Sequence, residues 1–220
     1  MSNCCVGHHP CEPGALWCRD CGSLVEGASI GEYRLISFIG RGSSADVYLA
    51  EQPSLNRRKV VIKILPQTRL ASSVEAFQRE AEALASLSHP YILPIFSYGV
   101  LYREMKRRDI EYDAQELCLP YLALPYAEQG SLADIFKREG ERPWSVVRVV
   151  TIVREIAEAL DYAHGQGVLH RDVKPANILR MGTHSLLSDF SVASLIDADA
   201  SHLNAPWAGS PAYMAPEVWQ

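Results

Sequence analysis

Apolar residues in the first half of the chain fall into short runs separated by turn residues, which is the pattern of β-strands. Runs rich in Val, Ile, Leu and Tyr follow one another at Tyr33–Ile39, Asp46–Glu51 and Lys59–Leu65. Three short strands in succession predict an antiparallel sheet. Further apolar runs at Ile92–Phe96 and Leu117–Leu124 predict two more strands, which gives a sheet of five.

Two segments carry apolar residues at the three- and four-residue spacing of an amphipathic helix. The first segment has these apolar positions: Val74, Phe77, Ala81 and Leu84. Ser88-His89-Pro90 ends this helix because proline cannot continue the helical hydrogen bonding. The second segment runs from Trp144 to Ala163 and predicts a long helix. Its apolar positions are Val149, Val153, Ile156, Leu160 and Ala163.

Composition places the chain among ordinary globular proteins, with 220 residues, 48% hydrophobic residues and a net charge of −5. A negative net charge argues against a general nucleic-acid partner, because phosphate backbones select basic surfaces. No apolar run reaches the roughly 18 residues that span a bilayer, and Met1–Cys11 has no basic or apolar leader pattern. We therefore expect a cytoplasmic protein without a membrane segment in this chain.

The first tenth of the chain predicts a metal site. It holds five of the six cysteines, namely Cys4, Cys5, Cys11, Cys18 and Cys21. In a reducing compartment such a cluster favours metal over disulfides. Cys18-x-x-Cys21 is a strong half-site for Zn²⁺, because this spacing directs two thiolates to one ion. The other half remains open among Cys4, Cys5, His8, His9 and Cys11, and the alternative is a tail of unliganded thiols.

Several polar motifs follow in a fixed order after residue 33. A glycine-bearing turn at Ile39–Val47 lets backbone N–H groups approach a phosphate, and Lys63 lies inside an apolar strand. Downstream come His170–Asn177, Ser188–Ser191 and Ala215–Glu217. The acids and the amide of the first two segments offer oxygen ligands for Mg²⁺ and a base for a hydroxyl, and a lysine lies beside them.

These motifs, in this order, resemble the eukaryotic-like serine/threonine protein kinase family of bacterial type, from about Tyr33 to the last residue. The resemblance implies an α+β, protein-kinase-like bilobal fold behind a short zinc ribbon. The expected boundaries are a zinc-ribbon segment at 1–27 and a kinase domain at 33–220. Within the domain we expect an N-lobe at 33–124 with one helix, a hinge at 125–130 and a truncated, mainly helical C-lobe at 131–220.

The resemblance also assigns the nucleotide contacts. Gly40 and Gly42 belong to the loop that covers the ATP phosphates, with Ala45 in place of the third glycine. Lys63 resembles the lysine that contacts the α- and β-phosphates, and Glu80 resembles its partner on the helix. The other expected nucleotide contacts are Val47, the gatekeeper Leu124 and Tyr126 of the hinge.

For catalysis, Asp172 resembles the catalytic base and Lys174 the lysine near the transferred phosphate, while Asn177 and Asp189 resemble the Mg²⁺ or Mn²⁺ ligands. The implied reaction is transfer of the ATP γ-phosphoryl group to serine or threonine in protein substrates. A homodimer for autophosphorylation is a possible assembly. Ser191 replaces the family's glycine after Asp-Phe, and the chain stops just after Ala-Pro-Glu. The alternative is therefore a nucleotide-binding pseudokinase, a scaffold or an inactive fragment.

A second resemblance concerns the N-terminal segment. Cys4-Cys5-Val6-Gly7-His8 is similar to the first knuckle of short zinc ribbons attached to bacterial kinases. This resemblance implies that Cys4, His8, Cys18 and Cys21 hold a structural Zn²⁺, with Cys5 or Cys11 as possible substitutes.

Overall fold

The computed structural model describes residues 2–12, 14–21, 23–42, 45–65, 70–103, 117–140, 142–190, 194–195 and 210–216. The chain divides into two compact units. The first unit comprises residues 1–77 and 95–126, and the second comprises residues 78–94 and 127–220.

The first unit is built on antiparallel β-structure. Its strands are β1 (Ser2–Asn3), β2 (Pro10–Cys11), β3 (Ser29–Ile30), β4 (Tyr33–Arg41), β5 (Asp46–Gln52), β6 (Arg58–Ile64), β7 (Ser97–Arg103) and β8 (Leu117–Pro125). In the described part of this unit, six of them form one sheet in the order β3-β4-β5-β6-β8-β7, and β1 pairs with β2. Helix α1 (Leu70–Ser86) follows β6 and continues into the second unit.

The sheet has one strand more than the five expected. The additional strand, β3, pairs with β4 through a two-residue turn at Gly31 and Glu32. Gly31 has a φ of +56°, and a glycine at positive φ in the first position of such a turn suits a tight hairpin. A strand of two residues carries no periodic signal, so the apolar pattern could not predict it.

The strand predicted at Ile92–Phe96 is wrong, because the observed strand begins later, at Ser97. Ile92 and Leu93 are buried in the second unit, where the Leu93 N–H donates to the Leu187 carbonyl at 2.9 Å. Their apolar character therefore reflects burial of an irregular segment. The densely charged stretch Tyr102–Glu116 lies mostly outside the described residues, at 104–116.

The N-terminal segment packs on one face of the sheet. Its buried residues Cys5 and Leu24, with Leu16 and Trp17 partly buried, join the core of the first unit. The sheet residues in this core are Ile30, Tyr33, Leu35, Tyr48, Ala50, Val60, Ile62, Ile64, Leu119, Tyr121 and Ala123. We call this side of the sheet the outer face. Residues 2–30 and the sheet therefore share a core.

The second unit is mainly helical. Its remaining elements are α2 (Leu132–Glu139), α3 (Val146–Gly165), β9 (Val168–Leu169), β10 (Ile178–Met181), β11 (His184–Leu187) and β12 (Ser194–Leu195). Strand β10 pairs with β11, and β9 pairs with β12. Helix α2 begins with a capping box, in which Ser131 and Asp134 bond each other's backbone N–H.

Helix α3 confirms the long helix predicted at Trp144–Ala163, and Ser145 caps its N-terminus. Its buried positions include Ile156 and Ala163 as expected, whereas Val149 and Val153 are exposed. An apolar cavity of about 580 Å³ lies between α2 and α3. No helix among the described residues is long and apolar enough to cross a membrane.

Candidate active site and metal cluster

The glycine loop joins β4 to β5 in the first unit. Where the two strands meet the loop, Arg41 and Asp46 are register partners, and Arg41 Nε lies 2.8 Å from Asp46 Oδ1. The Gly42 N–H donates to the Ala45 carbonyl at 2.8 Å. Among the described residues beyond its chain neighbours, no atom lies within 4 Å of the place where a Cβ on Gly40 would stand. The backbone at Gly40 is thus open to approach by a phosphate.

The other expected nucleotide contacts of the first unit lie on the sheet. Val47 on β5 is the register partner of both Gly40 and Lys63. Lys63 is buried on β6. Leu124 on β8 is the register partner of Val61, which lies two residues before Lys63 on β6. The sheet therefore brings Gly40, Val47 and Lys63 to adjacent strands, as their expected shared role requires.

In the second unit, His170 anchors the segment that carries Asp172. The His170 ring is buried and packs against Phe190, with ring centroids 4.6 Å apart. Its Nδ1 accepts from the Asp172 N–H at 3.2 Å, and its Nε2 lies 2.9 Å from the Ser188 carbonyl. Burial lowers the pKa of His170, which favours the neutral ring. A proton on Nε2 then satisfies both contacts.

Asp172 lies at the centre of a polar network. One carboxylate oxygen, Oδ2, accepts from Lys174 Nζ at 2.7 Å and from Asn177 Nδ2 at 3.0 Å. Asn177 Nδ2 also donates to the Asp172 carbonyl at 2.8 Å, and Lys174 Nζ donates to Ser210 Oγ at 2.6 Å. The structure therefore brings Asp172, Lys174 and Asn177 together, and it adds Ser210 to them.

The two oxygens of the Asp172 carboxylate differ. Burial alone would raise the pKa of this group, but the hydrogen bond and positive charge of Lys174, together with the bond from Asn177, outweigh burial and lower it. The carboxylate is therefore anionic at neutral pH. The second oxygen, Oδ1, is buried and has no hydrogen-bond partner among the described residues. One anionic oxygen is thus available to a further donor.

The remaining catalytic candidates of the second unit are Glu80 and Asp189. Glu80 is buried on α1, and Asp189 follows β11 directly. Asp189 and Arg171 have φ values of +66° and +61°, a backbone region that is uncommon outside glycine and is often found at functional sites. Ser191 and Glu217 lie outside the described residues.

The N-terminal segment holds a compact group of possible metal ligands. The ligand atoms of Cys4, His9, Cys18 and Cys21 all lie within 4.8 Å of one another. Cys4 Sγ is 3.6 Å from Cys21 Sγ, and His9 Nδ1 is 3.5 Å from Cys18 Sγ. A tetrahedral Zn²⁺ with Zn–S bonds of about 2.3 Å separates its ligand atoms by about 3.8 Å. Three thiols and an imidazole at these distances fit such an ion.

The histidine in this cluster is His9, whereas the resemblance implied His8. His8 is exposed, has a φ of +53°, and donates its N–H to the Cys4 carbonyl at 3.2 Å. This tight turn directs the next residue, His9, toward the thiols. Cys5 is not among these ligands either, since it is buried in the core and burial raises its pKa to about 12. Sequence spacing could not choose between neighbouring histidines.

Comparison with known proteins identifies the part of the chain that follows the N-terminal segment. Residues 33–220 match the model of the family described as "Protein kinase domain". The chain belongs to the protein kinase domain family. It is 35% identical over 195 residues to serine/threonine-protein kinase PknE of Mycobacterium tuberculosis, and 34% identical over 193 residues to PknD of that organism. The matches cover 87% of this chain but 31% of PknE and 26% of PknD. The chain therefore spans less than a third of the length of these relatives.

The fold of the kinase domain is confirmed by solved structures. The kinase domain of M. tuberculosis PknI is similar with a TM-score of 0.59 and 31% identity, over 78% of this chain and 63% of that one. A cysteine-to-alanine mutant of the PknI domain gives a TM-score of 0.60 over 83% of this chain and 68% of that one. The protein-kinase fold predicted from the motifs is thus confirmed, while the boundaries assigned to its lobes and hinge stay predictions.

Residues outside the expected site also position the kinase loop. Ser188 bonds to the Asn177 backbone twice, with its N–H at 2.9 Å and its Oγ at 3.0 Å from the Asn177 carbonyl. Ser188 and His170 thus hold Asn177 and Asp172 through contacts separate from those of Lys174. Both residues belong to the motifs that the sequence shows, but their anchoring role depends on contacts that spacing does not reveal.

Proposed function

We propose that the kinase domain transfers the γ-phosphoryl group of ATP to serine or threonine hydroxyls of proteins. The observation that supports this most directly is the unpaired Oδ1 of Asp172, which has no hydrogen-bond partner among the described residues, beside an Oδ2 that Lys174 and Asn177 hold. An acceptor hydroxyl can donate to Oδ1, and the anionic carboxylate orients it and takes its proton during transfer. The names of PknE and PknD, both serine/threonine-protein kinases, support the same class of acceptor.

Lys174 has two tasks in this proposal. Its ammonium holds Asp172 through Oδ2, which keeps Oδ1 directed away from that bond. It also offers positive charge beside the base, where it offsets the negative charge of the phosphoryl group in transit. The Ser210 hydroxyl accepts from the same ammonium and so restricts where it lies.

Magnesium and ATP fit the donor groups of the chain. Asn177 donates through Nδ2 to the Asp172 carbonyl and to Asp172 Oδ2. Its amide oxygen would then bind a divalent cation. Asp189 would supply the second protein ligand, while Lys63 and the glycine loop would contact the phosphates. Bound Mg-ATP supplies the transferable group, and its ion offsets phosphate charge. Leu124 and Tyr126 would contact the adenine.

Asp172→Asn tests the function. We expect this variant to lose phosphoryl transfer by at least about a hundredfold and to keep its ATP affinity, because Asp172 contacts the acceptor hydroxyl and not the nucleotide. Transfer is measured with labelled ATP, both to an added basic protein and to the chain itself, where one copy phosphorylates another. ATP affinity is measured by calorimetry.

The matched control is Asp161→Asn, which removes an exposed carboxylate of α3. It should leave both measurements unchanged. Equal losses of binding and transfer in Asp172→Asn would contradict the role of base. ATP binding without transfer in the wild-type chain would favour the nucleotide-binding scaffold.

We also propose that Cys4, His9, Cys18 and Cys21 bind one structural Zn²⁺. The distances among their ligand atoms support tetrahedral coordination, and Cys₃His is a usual donor set for structural zinc. Gly7 assists, because a Cβ at this position would stand 2.6 Å from the His9 ring.

Adjacent histidines provide the test of the zinc site. His9→Ala should lower the zinc content from about one ion per chain and weaken retention at least tenfold, because it removes a ligand. His8→Ala should retain the metal, since His8 is exposed and lies outside the cluster. Zinc is measured by elemental analysis after dialysis against a weak chelator. Loss of metal in His8→Ala but not in His9→Ala would make His8 the histidine ligand and overturn the assignment of His9.

A further inference from the structure

The metal cluster and the glycine loop are connected through the core of the first unit. Cys4 precedes Cys5, whose N–H donates to the Leu24 carbonyl at 2.8 Å. Cys5, Leu24 and Tyr48 belong to one buried core, in which the Tyr48 hydroxyl lies near the Leu24 backbone. The Tyr48 ring packs edge-on against Phe38, with ring centroids 5.3 Å apart. The contacts are therefore continuous from a metal ligand to both strands of the glycine hairpin.

Tyr48 connects the two sides of the sheet. Side chains alternate along a strand, so Tyr48 faces the N-terminal segment on the outer face while Val47 faces the opposite side. On that side Val47 is the register partner of Gly40 and of Lys63. Phe38 and Tyr48 are themselves register partners, two residues before Gly40 on one strand and one after Val47 on the other. A movement of Tyr48 consequently moves the strands that present the glycine loop.

We propose that zinc binding in the N-terminal segment and nucleotide binding at the glycine loop are coupled, with Tyr48 as the positioning residue. This inference rests on the kinase function and the zinc site proposed above. The N-terminal segment has few apolar residues beyond those it buries against the sheet, so its order depends on the metal. Metal loss exposes the outer face around Tyr48 and releases the hairpin to sample more conformations.

The sign of the coupling follows from this packing. Only part of a released hairpin population is competent to bind phosphate, and apparent affinity falls in proportion to that fraction. Removal of zinc should therefore weaken nucleotide affinity by about tenfold, within the usual range for coupled sites. Linkage is reciprocal, so saturating nucleotide should strengthen zinc affinity by the same factor.

The experiment measures both directions on the 220-residue chain. Calorimetry gives the affinity of the magnesium complex of adenylyl-imidodiphosphate for the zinc-loaded and the zinc-free chain. Competition with a chromophoric chelator gives zinc affinity with and without that nucleotide, in excess magnesium. A Lys63→Met chain controls for zinc chelation by the nucleotide in solution, because its weakened nucleotide binding should remove the effect.

Two tyrosines form the matched pair of variants. Tyr48→Phe removes a hydroxyl near the Leu24 backbone, while Tyr33→Phe removes the hydroxyl of an equally buried tyrosine of the same core, which lies 3.0 Å from Ser97 Oγ. We expect Tyr48→Phe to reduce the coupling to about threefold or less, and Tyr33→Phe to retain it. A general loss of sheet stability would affect both variants alike.

The outcomes separate the proposals. Zinc and nucleotide that each bind with unchanged affinity in the presence of the other would overturn the coupling while leaving both proposed sites intact. Equal coupling in Tyr48→Phe and the wild type would overturn the role of Tyr48. A chain that binds no zinc overturns the zinc site together with this inference, and a chain that binds no nucleotide overturns the kinase function with it.

Discussion

Asp172 and Glu155 are both buried carboxylates of the second unit, and their hydrogen bonds give them different roles. Glu155 on α3 uses both oxygens, since Oε1 lies 2.9 Å from His184 Nδ1 and Oε2 accepts from the Ser185 N–H at 2.8 Å. Asp172 leaves Oδ1 without a partner among the described residues. A carboxylate whose two oxygens both accept hydrogen bonds stabilises structure. A carboxylate with one unpaired oxygen can still accept a proton from a substrate.

Glu155 should make the second unit sensitive to acid. Burial alone would raise the pKa of Glu155, but hydrogen bonds from His184 and Ser185 outweigh burial and hold it below its usual value. A pKa lower in the folded than in the unfolded chain stabilises the fold above the unfolded value, about 4.5, and this contribution disappears as pH falls through the folded pKa. The affected range therefore lies below about pH 4.5.

We predict that Glu155→Gln lowers the free energy of unfolding by about 2 to 4 kcal/mol at pH 7, because it removes the charge from a buried hydrogen bond with Ser185 and a partly buried one with His184. The difference from the wild type should shrink as pH falls below about 4.5. Urea unfolding at a series of pH values measures this. Glu158→Gln, at an exposed position of the same helix, should cost little at any pH. A difference that stays constant with pH would contradict the ionised role of Glu155.

At the scale of elements, the β3–β4 hairpin depends on a close approach. A Cβ on Gly31 would stand 2.7 Å from the Tyr121 hydroxyl, while the next ring atom is 3.9 Å away. Gly31 also has positive φ. Gly31→Ala should therefore destabilise the chain by about 2 to 3 kcal/mol, from a steric clash and from backbone strain together.

A double variant separates the two causes. Adding Tyr121→Phe to Gly31→Ala removes the clashing oxygen and should restore the steric part, leaving a backbone cost of about 1 kcal/mol. Gly140→Ala measures a backbone cost alone, because Gly140 has a φ of +66° and the added Cβ would meet no atom within 4 Å in the described part of the chain beyond its neighbours. Denaturant unfolding gives all three values. No recovery in the double variant would show that Tyr121 is not the obstacle.

The sequence could predict the elements whose residues repeat with a clear period, and it could not predict those that depend on packing. The spacing in α3 and the apolar runs of β4, β5 and β6 predicted those elements correctly. Ile92 and Leu93 resembled a strand only because burial, whatever the backbone conformation, selects apolar residues.

The candidate site shows the same division. The order of the motifs singled out Asp172, Lys174 and Asn177, which lie together in the structure, because each motif is local in the chain. The choice of His9 over His8 depends on a turn at φ +53°, and the contact of Ser210 with Lys174 spans 36 residues. The spacing of residues along the chain predicts neither a backbone dihedral angle nor a contact with a hydroxyl that is distant in sequence.

For the whole molecule, each unit has its own buried core, and the group of Cys4, His9, Cys18 and Cys21 belongs to only one of them. The N-terminal segment contributes Cys5 and Leu24 to the core of the first unit. The second unit buries Ala159 and Ala163 of α3, and Glu155 joins this helix to β11. Perturbation of either core should therefore be felt first within its own unit.

Zinc removal should consequently loosen the first unit and spare the second. After treatment with a strong chelator, amides of β4, β5 and β6 should exchange with solvent at least about tenfold faster, because the outer face of their sheet loses its cover. Amides of α3 should keep their protection. Glu155→Gln should give the reverse pattern, with faster exchange in α3 and β11 and unchanged exchange in β5. Hydrogen exchange read by mass spectrometry distinguishes these segments.

Two outcomes would contradict this prediction. Uniform loss of protection in both units after chelation would mean that the metal stabilises the chain as a whole. Unchanged protection in β5 would mean that the N-terminal segment does not contribute to the core of the sheet.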